Sequence, residues 1–218
     1  MLHGIWRTVR KLRALILTLG VLYLACMGAG VATYHAGRES LPSWVQHQGE
    51  GSYEQIERVF GRFRGPLREG RAGTILTCSG LVFVVNMAGD VLNFTLPGAL
   101  IVPLPFTLLY GGWAQGLGLA AIHGSSFLSV FLYLLMGSLE WATYVLASVA
   151  GLNIGLSVLA PRRQGVASRG AAFRPACGDA VRLYAVIVLI LAAQAVMEIL
   201  YVRKVLLLGG SGVPLAPY

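Results

Sequence analysis

Apolar runs of about 20 residues or more alternate along the chain with polar stretches that hold most of the arginines. Runs of that length cross a hydrocarbon layer of about 30 Å as helices. The pattern predicts spans near residues 14–33, 74–96, 101–121, 127–159 and 183–202. Between them lie a polar loop at 34–73 and a basic loop at 160–182. The expectation is an all-α, polytopic transmembrane helical bundle of about five spans. It divides into a basic interfacial segment at 1–13, a single membrane domain at 14–204 and a tail at 205–218. A signal peptide would have an apolar core of 7–15 residues; the first run is longer, so it reads as a retained span.

Residues 127–159 organise the rest. Wound as a helix, they place Gly137, Glu140, Tyr144, Ser148, Gly151 and Gly155 on one face at steps of three or four. Small and polar residues striped along an apolar rod indicate close helix packing inside a membrane. At about 48 Å this helix exceeds the hydrocarbon layer, so it must tilt, break near a glycine or project. Asn86, Asp90 and Asn93 form a second stripe at i, i+4, i+7, and Gln194, Glu198 and Tyr201 a third. Gly112 and Gly116, with Gly111 and Gly118 beside them, thin the face of the 101–121 run.

The polar loop contains a capping-box start, Ser52 to Gln55. Tyr53, Ile56, Phe60 and Phe63 then recur on one face, with Arg58, Arg62 and Arg64 on the other. This predicts an amphipathic helix lying on the membrane or on the protein itself, or serving as a partner-binding helix, and Gly65-Pro66 is expected to stop it.

Composition agrees with the pattern. The chain is 56% hydrophobic and 12% charged, where soluble domains have about 25% charged residues. The net charge of +8 first suggests nucleic acid, but the basic residues flank the spans, as topology signals and lipid head-group contacts do. No nucleic-acid partner is expected. The basic start and the five arginines of 160–182 put the N-terminus in the cytoplasm and, with five spans, the C-terminus outside. The location expected is the cytoplasmic (inner) membrane of a prokaryote. Cys26, Cys78 and Cys177 lack the spacing of a zinc site or a disulfide framework.

An acid at the centre of a span costs about 2.5–3.5 kcal/mol on insertion scales, so Asp90, Glu140 and Glu198 each need an explanation. One is structural: a neutral carboxyl hydrogen-bonded across helices to Asn86, Asn93, Gln194, Tyr144 or Tyr201, contributing about 0.6–2 kcal/mol. The other is a proton or cation relay, if the stripes converge. Enzyme signatures are missing: no HExxH, no GxSxG and no P-loop. His3, His35, His47 and His123 are scattered. No catalytic residue, metal ligand or cofactor is assigned.

Two function classes follow. One is a non-catalytic scaffold or anchor within an envelope complex; the other is the permease-like subunit of an ABC-type exporter or another transporter. The expected partners are membrane lipid and either a cell-wall hydrolase complex or an ATPase subunit, with a homodimer as a further possibility.

The order of features also resembles the stage II sporulation protein M (SpoIIM-like) family of integral membrane proteins. The matching positions are Asn86, Gly98, Gly112, Gly116, Gly137, Glu140, Ala142, Ala150, Gly151, Gly155 and Glu198. The resemblance covers about residues 74–202 and is strongest across 137–155. One departure stands out: Leu135-Met136-Gly137 occupies the place of the family's Pro-His-Gly. The resemblance implies a membrane anchor without catalytic activity; founding members of the family act in forespore engulfment beside peptidoglycan-cleaving enzymes.

Overall fold

A computed structural model describes residues 2–37, 60–101, 103–121 and 127–207, and those residues are helical apart from short turns, with no strand among them. The helices are α1 (Leu2–Gly37), the short α2 (Arg64–Arg68), α3 (Ala72–Val85), α4 (Leu92–Leu100), α5 (Pro103–Ala121), α6 (Phe127–Leu159) and α7 (Arg169–Leu207). A π-turn at Asn86–Val91 joins α3 to α4. Four stretches are long and apolar enough to cross a membrane: Leu2–Gly37, Ala72–Leu100, Leu134–Leu159 and Arg169–Lys204. Helix α5, at 19 residues, is about 28 Å long and less apolar than these.

Helix α6 is the hub. In its most apolar stretch 61% of residues are buried, against 17% in that of α1. It runs unbroken through its glycines for 33 residues. It packs most heavily on α7 and α4, while α1 pairs with α5 and α3 with α7.

The predicted boundaries change at both ends. Residues 1–13 are not a separate interfacial segment, because α1 continues from Leu2 through the first span as one helix. Nothing between Arg13 and Ala14 caps or breaks it. Thr8, Leu12, Leu19 and Tyr23 form one continuous buried stripe. Nor are residues 160–182 a loop throughout. The connection ends near Ser168, and α7 starts at Arg169. Five arginines and Pro175 give this stretch the composition of a loop. Ala172, Ala176 and Ala180, buried at steps of four, hold it helical against the bundle.

The π-turn changes the second span. An extra residue in a helical turn rotates everything after it by about 100°. Cys78, Ser79 and Val82 are buried before the turn, and the α-helical continuation of that face is Asn86, Asp90, Asn93. The buried positions after it are instead Val91, Phe94 and Gly98, one residue on. Asn93 is exposed, so the predicted i, i+4, i+7 stripe does not exist as a stripe.

In the first loop, Tyr53, Ile56 and Arg58 lie outside the described residues. Phe60 and Leu67 are buried against Cys78, Val82, Ala195 and Ile199, with Phe63 packed beside them. This apolar face therefore rests on the protein's own α3–α7 pair. Arg62 is exposed, its guanidinium 4.9 Å from the centre of the Phe63 ring. Gly65-Pro66 does not stop the helix; both lie within α2. The turn comes at Gly70, at φ +73°, where Arg203 Nε donates to the Leu67 carbonyl at 3.2 Å.

Candidate functional site

Close backbone crossings hold the helices in position. A Cβ on Gly151 would run into the Thr95 carbonyl oxygen and stand 3.0 Å from the Gly98 Cα; one on Gly98 would stand 2.9 Å from the Ser148 carbonyl oxygen. Gly155 is pressed in the same way onto the Ala99 carbonyl. These three residues let α4 and α6 touch backbone to backbone. A second crossing joins α1 to α5: a Cβ on Gly112 would stand 2.8 Å from the Tyr23 carbonyl oxygen, and Gly116 faces the Met27 carbonyl and Gly30 the Trp113 carbonyl. Four of the five predicted packing glycines, Gly112, Gly116, Gly151 and Gly155, thus lie at crossings. Gly137 does not. Its nearest neighbour is the Trp141 ring on its own helix, 3.0 Å from where a Cβ would be.

The crossings also fix chain direction. Tyr23 lies beside Gly112 and Met27 beside Gly116, so α1 and α5 run the same way. Helix α4 ends at Ile101, packed over Gly155 near the end of α6. Helix α5 therefore starts at that end of the bundle and heads back along α1.

Of the polar residues, Glu140 and Tyr144 pair within α6: the Tyr144 hydroxyl donates a short hydrogen bond to Glu140 Oε1. Both are buried. The Tyr144 ring stacks on Phe94 of α4 at 4.5 Å and 19°, and tilts against Tyr23 of α1 at 6.5 Å. The carboxyl group is thus held from its own helix by a tyrosine whose ring packs on rings from two others. Close by, Thr95 Oγ1 and Tyr184 Oη share a 2.6 Å hydrogen bond between α4 and α7.

Asn86, at the start of the π-turn, donates through Nδ2 to Gln194 Oε1 at 3.3 Å, linking it to α7. Gln194 is fully buried, and its Nε2 and the Ser79 Oγ have no hydrogen-bond partner among the described residues. Glu198, one turn beyond Gln194, is buried as well. The Asp90 side chain lies outside the described positions.

Glu140 and Glu198 do not meet in one cluster. Helices α6 and α7 are antiparallel around the 160–168 connection. Glu140 is 19 residues back from Leu159, whereas Glu198 is 29 residues on from Arg169. Ten residues of difference place them about 15 Å apart along the bundle. The contacts agree: Tyr144 and Tyr184 both reach α4, at Phe94 and Thr95, while Gln194, ten residues on from Tyr184, reaches Asn86.

A polar junction that the sequence reading did not single out lies at the other end of α7. Asp179 is nearly fully buried. It accepts from Thr8 Oγ1 at 2.9 Å, Lys11 Nζ at 2.7 Å and Arg182 Nη1 at 3.0 Å. The available signal was charge: Asp179 is the lone acid among the nine cations of segments 1–13 and 160–182. Among the described residues, no three His, Cys, Asp or Glu side chains come together as metal ligands. Compared with protein-family profiles, curated proteins and solved structures, the chain matches none.

Proposed function

We propose that this chain is a five-span, non-catalytic scaffold or anchor subunit of a multi-protein envelope complex in a prokaryotic cytoplasmic membrane, similar in role to the SpoIIM-like family. The observation that carries the reading is the pair of glycine crossings. Helices in backbone contact at Gly98–Gly151 and Gly30–Gly116 form a braced body with little room to rearrange. The Glu140 carboxyl is bonded within its own helix to Tyr144, whose ring packs on Phe94 and Tyr23 of two others, an arrangement that fits packing support better than a relay.

The fifth span in this proposal is α5, whose direction beside α1 requires it to traverse the bundle between α4 and α6. Five crossings place the two termini on opposite sides, with the Arg-rich end in the cytoplasm. Reporter domains fused to each terminus should then report opposite compartments.

A transport subunit is the second reading. What favours it is the Gln194 Nε2 of α7, one turn from Glu198, and the Ser79 Oγ of α3, both buried with no hydrogen-bond partner among the described residues. Gentle detergent extraction of the tagged protein at native expression, followed by mass spectrometry of what co-purifies, separates the two. A stoichiometric cell-wall hydrolase or its anchor supports the scaffold. A P-loop ATPase makes the chain a transporter component and Glu198 a coupling residue.

A further inference from the structure

The charge of this chain is divided unequally along its length. Segments 1–13 and 160–182 hold nine of the 17 Lys and Arg and one of the nine acids, and the remaining eight of each sign cancel. The entire net charge of +8 therefore belongs to these two segments. The fold brings them together: 1–13 is the start of α1, and 160–182 is the connection into α7 with that helix's first turns. Asp179 joins them through Thr8, Lys11 and Arg182, and the Arg182 Nε lies 3.4 Å from where a Gly4 Cβ would stand. Ala172, Ala176 and Ala180 bring α7 close to its neighbours.

One carboxylate balances one cation of the nine. Arg7, Arg10, Arg13, Arg162, Arg169 and Arg174 all point outward. On the outer face of α1, Trp6, Arg10, Arg13 and Leu17 recur at i, i+4, i+7 and i+11, and all four are exposed. From the end of the helix toward its apolar middle, that order is an aromatic ring, two guanidiniums and an aliphatic side chain. An acidic soluble protein would match the arginines but leave Trp6 and Leu17 unexplained. A phospholipid matches every step: interface, phosphate and acyl chain.

We propose that the joined starts of α1 and α7 bind anionic phospholipid, with Arg10 and Arg13 holding the phosphate and Trp6 and Leu17 flanking it. The inference rests on the membrane-spanning reading but not on the scaffold role. Lys11 and Arg182 are occupied by Asp179, which holds the two helices at the spacing that presents the other arginines. Each surface cation contributes about a factor of five in affinity for an anionic leaflet, so loss of both arginines weakens binding about thirtyfold.

The test uses the full chain, purified in neutral detergent and titrated with phosphatidylglycerol, phosphatidylcholine or inorganic phosphate. Lipid occupancy is read by native mass spectrometry and stability by thermal unfolding. The expected result is retention of phosphatidylglycerol in preference to phosphatidylcholine, lost in Arg10→Gln/Arg13→Gln and unchanged in Arg68→Gln/Arg71→Gln at the far end. Equal retention of both lipids overturns the proposal, as does equal loss in the two double variants. Stabilisation by inorganic phosphate as strong as that by phosphatidylglycerol overturns it too, by showing a simple anion site. Alkaline carbonate extraction of membranes is run alongside. Release of the chain there would refute the membrane reading itself, whereas retention with no lipid preference would refute only the lipid site.

Discussion

Replacing Gly151 with alanine tests the packing account directly. The new Cβ would collide with the Thr95 carbonyl oxygen and lie 2.9 Å from the Ala99 nitrogen and 3.0 Å from the Gly98 Cα. Non-bonded carbon contacts are comfortable at about 3.5–4.0 Å. Relieving the collision with the carbonyl oxygen would require helices α4 and α6 to separate by roughly 1 Å or more, and overpacking of this kind costs about 1–3 kcal/mol. Alanine also raises helix propensity by about 0.5–1 kcal/mol over glycine, which would mask part of the loss. Gly80→Ala supplies the correction, because its Cβ would meet nothing within 4 Å and it carries the same propensity gain. The measurement is equilibrium unfolding in mixed micelles with increasing denaturing detergent, followed by Trp fluorescence, for wild type and both variants. Gly151→Ala should fall below Gly80→Ala by about 1–3 kcal/mol. If the two variants are equally stable, the α4–α6 crossing is not a backbone contact and the braced-bundle argument fails.

Three further outcomes are expected. A double-mutant cycle on Glu140→Leu and Tyr144→Phe should give a coupling of about 0.5–1.5 kcal/mol, with Glu140→Gln milder than Glu140→Leu; no coupling in micelle unfolding would remove the structural role of the pair. Asp179→Ala leaves Thr8 without its acceptor and Lys11 and Arg182 without their counter-charge. It should cost about 1–3 kcal/mol and speed tryptic cleavage in residues 7–13, which limited proteolysis with mass mapping reads. At Gly70, which has φ +73°, a Cβ would lie 2.6 Å from Arg203 Nη2. Gly70→Ala should therefore loosen the 60–70 segment from α7 and expose Arg68 and Arg71 to trypsin, while Gly73→Ala, with open space around it, should not.

Much of the architecture was legible because bilayer-length apolar runs have few alternatives. The central helix begins and ends where the pattern placed it, at Phe127 and Leu159. The crossing glycines could be read as small residues at helical spacing, but not their partners. Gly30 and Gly98 complete the two contacts, and partner choice depends on tertiary fit. The helical starts of α1 and α7 were hidden because composition favoured an interfacial segment and a loop. The deciding features were a few buried positions, Thr8, Leu12, Ala172 and Ala176, that count for little in a hydropathy average. The polar stripe on the second span failed for a different reason. Periodicity assumes 3.6 residues per turn throughout, and no side chain in Asn86–Val91 announces that the count changes there.

That change of count has a consequence for how the second span tolerates altered length. Upstream of the turn, Cys78 and Val82 are committed to α7; downstream, Phe94 and Gly98 are committed to α6. Removing any one residue from 86–91 would let the backbone relax to an ordinary α-helix, which is locally favourable. Phe94 and Gly98 would then take the places that positions 93 and 97 hold in an uninterrupted helix, which are the faces they present now, whereas one residue added to 86–91 without a further wide turn would swing Gly98 about 100° around the axis, away from Gly151. The segment is therefore a phase adjuster between two fixed docking faces: it already absorbs one residue of the span's length, so the loss of one residue there keeps both faces docked and the gain of one does not.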